Sequence, residues 1–140
     1  MTAATHPAPA RHAVGLGALW FGLFGAPVAW SIQELVSFAV VSHSCFPFWQ
    51  PLTLPRIAGT WTIALVVSLL TLALGAAAGA TAWRSWRRTG SRQGEHAERQ
   101  AEVGEGRARF MALSGLIVSG MVIYNMVLNF LTLFLVPPCG

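Results

Sequence analysis

A single carboxylate lies inside a long apolar stretch of this chain. Glu34, preceded by Gln33, is the only acidic residue outside the segment that follows Trp83, in the run GAPVAWSIQELVSFAVVSHSCFP. An ionised side chain near the bilayer centre costs roughly 2.5 to 3.5 kcal/mol on insertion scales, so it normally faces other helices, a cavity or a partner protein. We therefore expect Glu34 to mark a face of its helix that is turned away from lipid.

A second set of polar residues interrupts the last apolar run. Asn125 and Asn129 are one helical turn apart and Tyr124 stands next to them. Because such side chains hydrogen-bond across helices in lipid, each contact being worth about 0.6 to 2 kcal/mol, we expect them to meet Gln33 and Glu34 in one intramembrane cluster. The commoner role of such a cluster is to join helices. The alternative is a proton or ion relay centred on Glu34, which needs an oligomer because three helices alone cannot enclose a pore.

The two cysteines follow the first and last apolar runs. Cys45 and Cys139 both map to the side of the membrane opposite the arginine-rich loop. Since thiols pair in an oxidising compartment, a disulfide is predicted. The competing interpretation is a Cu(I) or zinc site formed by His43, Cys45 and Cys139, which suits those metals by ligand softness. No CxxC or second outer histidine completes such a site, so we predict no bound metal.

Catalytic motifs are missing from the sequence. None of the four histidines lies well inside an apolar run, which makes a haem held between two helical histidines an unsuitable hypothesis. The chain also contains no phosphate-binding glycine loop, no HExxH and no arguable serine, base and acid set. We therefore expect a protein that is not an enzyme and binds no cofactor.

Composition and run length define the elements that hold these residues. The 140 residues are 54% hydrophobic and only 10% charged, with a mean hydropathy of +0.57, against roughly 25% charged residues in a soluble domain. Three apolar runs exceed the ~20 residues that cross a hydrocarbon core as a helix. We predict an all-α, three-helix transmembrane bundle within residues 13–140, preceded by a disordered cytoplasmic tail over 1–12. The predicted spans are 13–42, 57–83 and 110–136.

Arginine placement predicts the sidedness of the bundle. There is no lysine, and seven of the nine arginines lie in the loop 84–109, whereas Arg56 alone lies in the loop 43–56. Basic residues in short loops stay cytoplasmic, so the N-terminus is predicted inside and the C-terminus outside. The net charge of +4 and pI near 10.5 are explained by anionic headgroups beside the loop, so a nucleic-acid partner is not expected.

Small residues recur where helices would pack. In the second run Gly75 and Gly79 form a small-xxx-small pair, which is typical of close helix approach. In the first run a small and polar stripe at helical spacing predicts the packed face, and Ser119 of the third run is predicted to point away from that run's polar face. The stripe of the first run consists of Gly22, Ala26, Ala29, Gln33, Ser37 and Ser44.

Two short patches resemble a known group of proteins. The first is Pro27, Trp30 and Gln33 in a Pro-x-x-Trp-x-x-Gln series, and the second is the His-x-Cys-x-Pro that begins at His43, joined by the final Cys139. They resemble small three-span proteins encoded beside bacterial haem-copper (cytochrome c) oxidases. The resemblance implies a non-catalytic accessory or assembly-linked subunit of a respiratory complex in the bacterial inner membrane, and it does not extend to Glu34.

Two functional alternatives and two kinds of partner stay open beside that expectation. One alternative is the relay through Glu34 in an oligomer, and the other is periplasmic copper handling by His43, Cys45 and Cys139. Besides membrane lipid, the partner would be a larger membrane complex or further copies of the chain.

Overall fold

Three long helices build the protein. The structure, a computed structural model, describes residues 15–47, 50–90, 105–136 and 139. Helix α1 runs over Leu16–Cys45, α2 over Thr60–Gly90 and α3 over Glu105–Leu135. Each is long and apolar enough to cross a membrane, and each contacts the other two. The described residues therefore form three packed helices, each able to cross a membrane, as the predicted bundle requires.

The helices and the apolar runs do not end at the same residues. α1 begins and ends three residues later than the predicted span 13–42. α2 begins at Thr60 rather than residue 57, because Gly59 has a φ of 85°, outside the right-handed helical region. α2 continues past residue 83 to Gly90, and α3 begins at Glu105 rather than residue 110. These extensions arise because hydropathy marks the hydrocarbon boundary, whereas a helix continues through the headgroup region, where water solvates its charged side chains. The predicted tail 1–12 and residues 91–104 of the predicted loop lie outside the described residues.

Two ends of the bundle are distinguished by their chemistry. We call the end that carries Cys45 and Cys139 the disulfide end, and the end that carries Arg84, Arg87 and Arg109 the arginine end. α1 and α3 run from the arginine end to the disulfide end, and α2 runs the opposite way.

Glycines bring α1 against both neighbours near the arginine end. A Cβ atom added at Gly25 would lie 2.8 Å from the Ala78 Cβ of α2, and one added at Gly22 would lie 3.2 Å from Ala82. A Cβ at Gly115 of α3 would lie 2.9 Å from the Gly22 carbonyl oxygen. The three backbones therefore approach more closely here than alanine would allow at these positions.

The predicted pair Gly75 and Gly79 faces α3. A Cβ at Gly75 would lie 3.3 Å from the Met126 sulfur, and one at Gly79 would lie 3.3 Å from Cδ1 of Ile123. Met126 is fully buried. The pair thus leaves room for two larger side chains of the neighbouring helix, which is how small-xxx-small pairs support helix packing in membranes.

The disulfide end is tied together by the connection between α1 and α2. The backbone N–H of Leu52 donates to the Cys45 carbonyl at 2.8 Å, and that of Arg56 donates to the Ser44 carbonyl at 2.9 Å. Carbonyls at a helix C-terminus have no partner within their own helix, so these bonds satisfy two of them. The connection therefore folds back over the end of α1.

Candidate functional site

The Glu34 carboxylate lies on the surface of the bundle, where α1 meets α3. Glu34 is exposed, and its Oε1 accepts a hydrogen bond from the Asn129 side-chain amide of α3. Asn129 is half-buried, and its own backbone carbonyl accepts from the Thr132 hydroxyl at 2.7 Å. Glu34 therefore contacts a neighbouring helix, but the described residues do not enclose its carboxylate, and its shielding from lipid stays a prediction.

Gln33 belongs to a different contact, which corrects the prediction of one polar cluster. Its side chain is only 3% exposed and points at α2. Its Nε2 donates to the Ser68 hydroxyl at 3.4 Å, and its Oε1 accepts from the Thr71 hydroxyl at 3.2 Å. Because consecutive residues of a helix are rotated by about 100°, Gln33 contacts α2 whereas Glu34 contacts α3.

Tyr124 and Asn125 also stand apart from that buried contact. Tyr124 is 67% exposed and Asn125 is exposed as well. Asn125 precedes Asn129 by one helical turn and so shares its face of α3. Tyr124 is rotated by about 100° from Asn125 and so lies off that face. The predicted cluster therefore separates into a buried part at Gln33 and a surface part at Glu34 and Asn129.

The inward face of α3 carries the hydroxyl of Ser119, a residue that the sequence predicts only to point away from the polar face. Ser119 is fully buried, and its hydroxyl donates to the backbone carbonyl of Gly22 at 3.2 Å. It shares that face with Ala112, Gly115 and Met126, all of them buried. Ala112, Gly115 and Ser119 recur at helical spacing, so small residues mark this face of α3 in the sequence, as they mark the packed face of α1.

One buried donor, one helical turn from the surface carboxylate, has no acceptor among the described residues. Trp30 precedes Glu34 by one turn of α1, and its indole Nε1 is buried without a hydrogen-bond partner among the described residues. A buried donor left unsatisfied costs roughly 1 to 3 kcal/mol. Trp30 and Glu34, one turn apart on α1, are therefore two polar side chains whose hydrogen-bonding capacity is not fully used among the described residues.

The cysteines are joined by a disulfide. Cys45 and Cys139 have Cα atoms 5.3 Å apart and are separated by 94 residues in sequence. Beside the bond, the hydroxyl oxygens of Ser44 and Thr60 lie 2.9 Å apart, and both side chains are buried. The bond connects the end of α1 to the segment beyond α3, as the sequence predicted.

That bond bears on the alternative of a copper or zinc site. A metal takes a cysteine as the thiolate, and both sulfurs here are already bonded to each other. His43 is exposed. Within residues 15–47, 50–90, 105–136 and 139, no group of three or more His, Cys, Asp or Glu is placed to hold a metal ion.

In the Glu34 and Asn129 pair, the amide orients a carboxylate that can accept further hydrogen bonds. A carboxylate offers acceptor sites on both oxygens, and Asn129 occupies a site on one of them. The amide does not titrate, so the pair orients the carboxylate without passing a proton onward. The pair therefore presents a carboxyl group in a fixed orientation on the surface of the bundle.

The chain was compared with protein-family models, curated proteins and solved structures, and none of these matches it.

Proposed function

We propose that this protein is a non-catalytic accessory or assembly-linked subunit that docks onto a larger membrane-protein complex through its Glu34 surface. We define the Glu34 surface as Glu34, Asn125, Asn129 and Thr132, which lie together along the meeting line of α1 and α3. The observation that carries the proposal is the position of the carboxylate, exposed on the bundle and held by a neighbouring helix.

The energetic argument concerns the cost of leaving that surface in lipid. A charged side chain at the bilayer centre costs several kcal/mol, and Glu is too short to reach the headgroups from the middle of a long helix. Phe38, one turn further along α1, is 75% exposed and lies within about 40° of Glu34 around the helix axis. A partner helix laid over the surface removes the carboxylate from lipid and buries that ring in the same step.

The charge of the partner follows from the charges of this chain. No Lys, Arg or His occurs in residues 16–42, 60–83 or 110–136. A second copy would therefore bring another carboxylate to the surface and no cation. A larger complex whose helix carries a basic side chain therefore fits better.

The resemblance and the charge pattern supply the location. The patches at Pro27 and His43 resemble small proteins encoded beside bacterial haem-copper oxidases, so a terminal oxidase in the bacterial inner membrane is the proposed complex. The arginine end lies in the cytoplasm because basic residues are retained there. The disulfide end then lies in the periplasm, where a disulfide persists.

Co-purification tests this function. Full-length tagged chain, extracted in mild detergent from the membranes that express it, is expected to bring the oxidase with it. Glu34→Leu and Asn129→Leu should each reduce the amount of oxidase recovered, because the first removes the carboxylate and the second removes the amide that orients it. Tyr124→Phe is the matched control, since it removes an exposed hydroxyl from another side of α3. Undiminished recovery with Glu34→Leu contradicts the proposal.

Exposure of the carboxylate also favours a second candidate, a proton relay completed by an oligomer or partner. In vesicles carrying a pH-sensitive dye, the relay predicts that Glu34→Gln abolishes proton flux while assembly stays normal. The docking function predicts no flux in either protein, and a weakened assembly in the variant.

A further inference from the structure

An open groove separates α2 from α3 toward the arginine end. It has a volume of about 390 Å³, and its walls are small or apolar, including Gly79, Ala80, Leu116 and Gly120. A Cβ atom added at Gly120 would meet nothing within 4 Å. The groove is remote from the Glu34 surface, because it opens between a different pair of helices.

Arginines continue both walls of the groove beyond its end. On α2, Arg87 follows Trp83 by four residues and Ala80 by seven, so it lies on the groove face one turn further along. On α3, Arg109 precedes Leu116 by seven residues and Gly120 by eleven, which again keeps one face. Arg87 is exposed and Arg109 is half-buried.

The two helices are antiparallel, so these arginines meet at one end. Trp61 Nε1 of α2 donates to the Leu133 carbonyl of α3 at 3.2 Å, whereas Gly79 faces Ser119 and Ile123 further along. The same progression brings the region of Arg87 opposite the region of Arg109. Trp83, which lines the groove beside them, is the residue type that settles at the boundary between headgroups and acyl chains.

We propose that this groove is a binding site for one anionic phospholipid, with an acyl chain in the groove and the phosphate between Arg87 and Arg109. Basic pockets between transmembrane helices are the places where anionic headgroups bind. A flexible hydrocarbon chain fits a groove whose one lining hydroxyl, that of Ser119, is already bonded to the Gly22 carbonyl. The indole N–H of Trp83, at the headgroup end, is the one other side-chain hydrogen-bonding group among these lining residues, so the rest of the groove offers a packing protein helix no polar side chain.

Native mass spectrometry of the full-length chain in mild detergent tests the site. Phosphatidylglycerol and phosphatidylcholine are added in equal amounts, and the protein with one retained lipid is counted for each. An arginine near an anionic headgroup is worth about a factor of five, so two of them predict a roughly 25-fold preference for phosphatidylglycerol. The double variant Arg87→Gln with Arg109→Gln should abolish the preference.

The matched charge control is Arg88→Gln with Arg56→Gln. It removes the same number of charges, but Arg88 is rotated by about 100° from Arg87 and about 140° from Trp83, and Arg56 lies at the disulfide end. This variant should keep the preference. If both double variants lose it equally, the binding follows net charge and the proposed site is overturned.

The groove itself is tested by filling it. Gly120→Leu should reduce retention of phosphatidylglycerol at least tenfold, because the leucine occupies the space of the acyl chain. Gly17→Leu is its control, since a Cβ at Gly17 also meets nothing within 4 Å and α1 does not line the groove. Unchanged retention in Gly120→Leu overturns the placement of the chain in the groove. None of these results depends on whether an oxidase is the partner of the Glu34 surface.

Discussion

The replacement Gly115→Ala should force α1 and α3 apart, although it adds only one methyl group. Its Cβ would lie 2.9 Å from the carbonyl oxygen of Gly22 and 3.1 Å from the carbonyl carbon. Both atoms are backbone, so no side-chain rotation relieves the contact. The hydroxyl of Ser119, one turn further along α3, donates to the same carbonyl at 3.2 Å, and this hydrogen bond would lengthen as the two helices separate.

The magnitude follows from these two contacts. Overpacking by a methyl group in a close-packed interior costs typically 1 to 3 kcal/mol, and the hydrogen bond adds about 0.6 kcal/mol. Alanine also favours a helix over glycine by up to about 1 kcal/mol, which acts in the opposite direction. Gly120→Ala on the same helix carries that same gain, yet its Cβ meets nothing within 4 Å. The difference in unfolding free energy between the two variants should therefore be roughly 1.5 to 3.5 kcal/mol.

Sodium dodecyl sulfate titration in mixed micelles measures that difference. Tryptophan fluorescence reports separation of the helices, and the disulfide is kept intact in all samples so that the other end of the bundle is equally constrained. Gly115→Ala should unfold at a clearly lower detergent fraction than Gly120→Ala. Coincident transitions would refute the close approach of α1 and α3 at Gly22.

Three further outcomes are expected in the same assay. Reduction of the bond between Cys45 and Cys139 should expose two thiols to a maleimide label, and labelling without reduction would contradict the bond. Reduction should lower the free energy of unfolding by well under the ~4 to 5 kcal/mol expected for a soluble loop this long, because the membrane already confines both ends. Gln33→Leu should cost about 1 kcal/mol, since two interhelical hydrogen bonds to α2 hydroxyls are lost at about 0.6 kcal/mol each, and an unshifted transition would show that these bonds contribute nothing. Trp61→Phe should cost about 0.6 kcal/mol through its bond to the Leu133 carbonyl, and Trp61→Ala should cost more because the edge-to-face contact of its ring with Phe134 disappears too.

Much of the fold could be predicted because each helix carries its own pattern. The lengths of the apolar runs exceed the bilayer core, and the chain forms three helices of the expected type. The small and polar stripe of α1 is buried at Gly22, Ala26, Ala29 and Gln33. Phe38, on the opposite side, is 75% exposed. A face of one helix is a local property, so periodicity is enough to find it.

The polar contacts between helices were predicted less well, because they depend on how one helix is rotated about its axis relative to the next. Gln33 and Glu34 were expected to serve one cluster, but Gln33 bonds to α2 and Glu34 to Asn129 of α3. Asn125 and Tyr124 point outward instead. A set of polar residues on separate helices has many mutually compatible pairings, and spacing within each helix does not choose among them.

The sequence by itself determined that the protein crosses a membrane, which stretches do so and which face of α1 is packed, since these follow from apolar run length and from the 3.6-residue repeat. It also indicated that Cys45 and Cys139 would pair. The tertiary structure decided that the Glu34 carboxylate is held on the outside of the bundle and that Ser119 is held within it. Those outcomes depend on how each helix is rotated about its axis relative to its neighbours, which the spacing of residues within one helix does not determine.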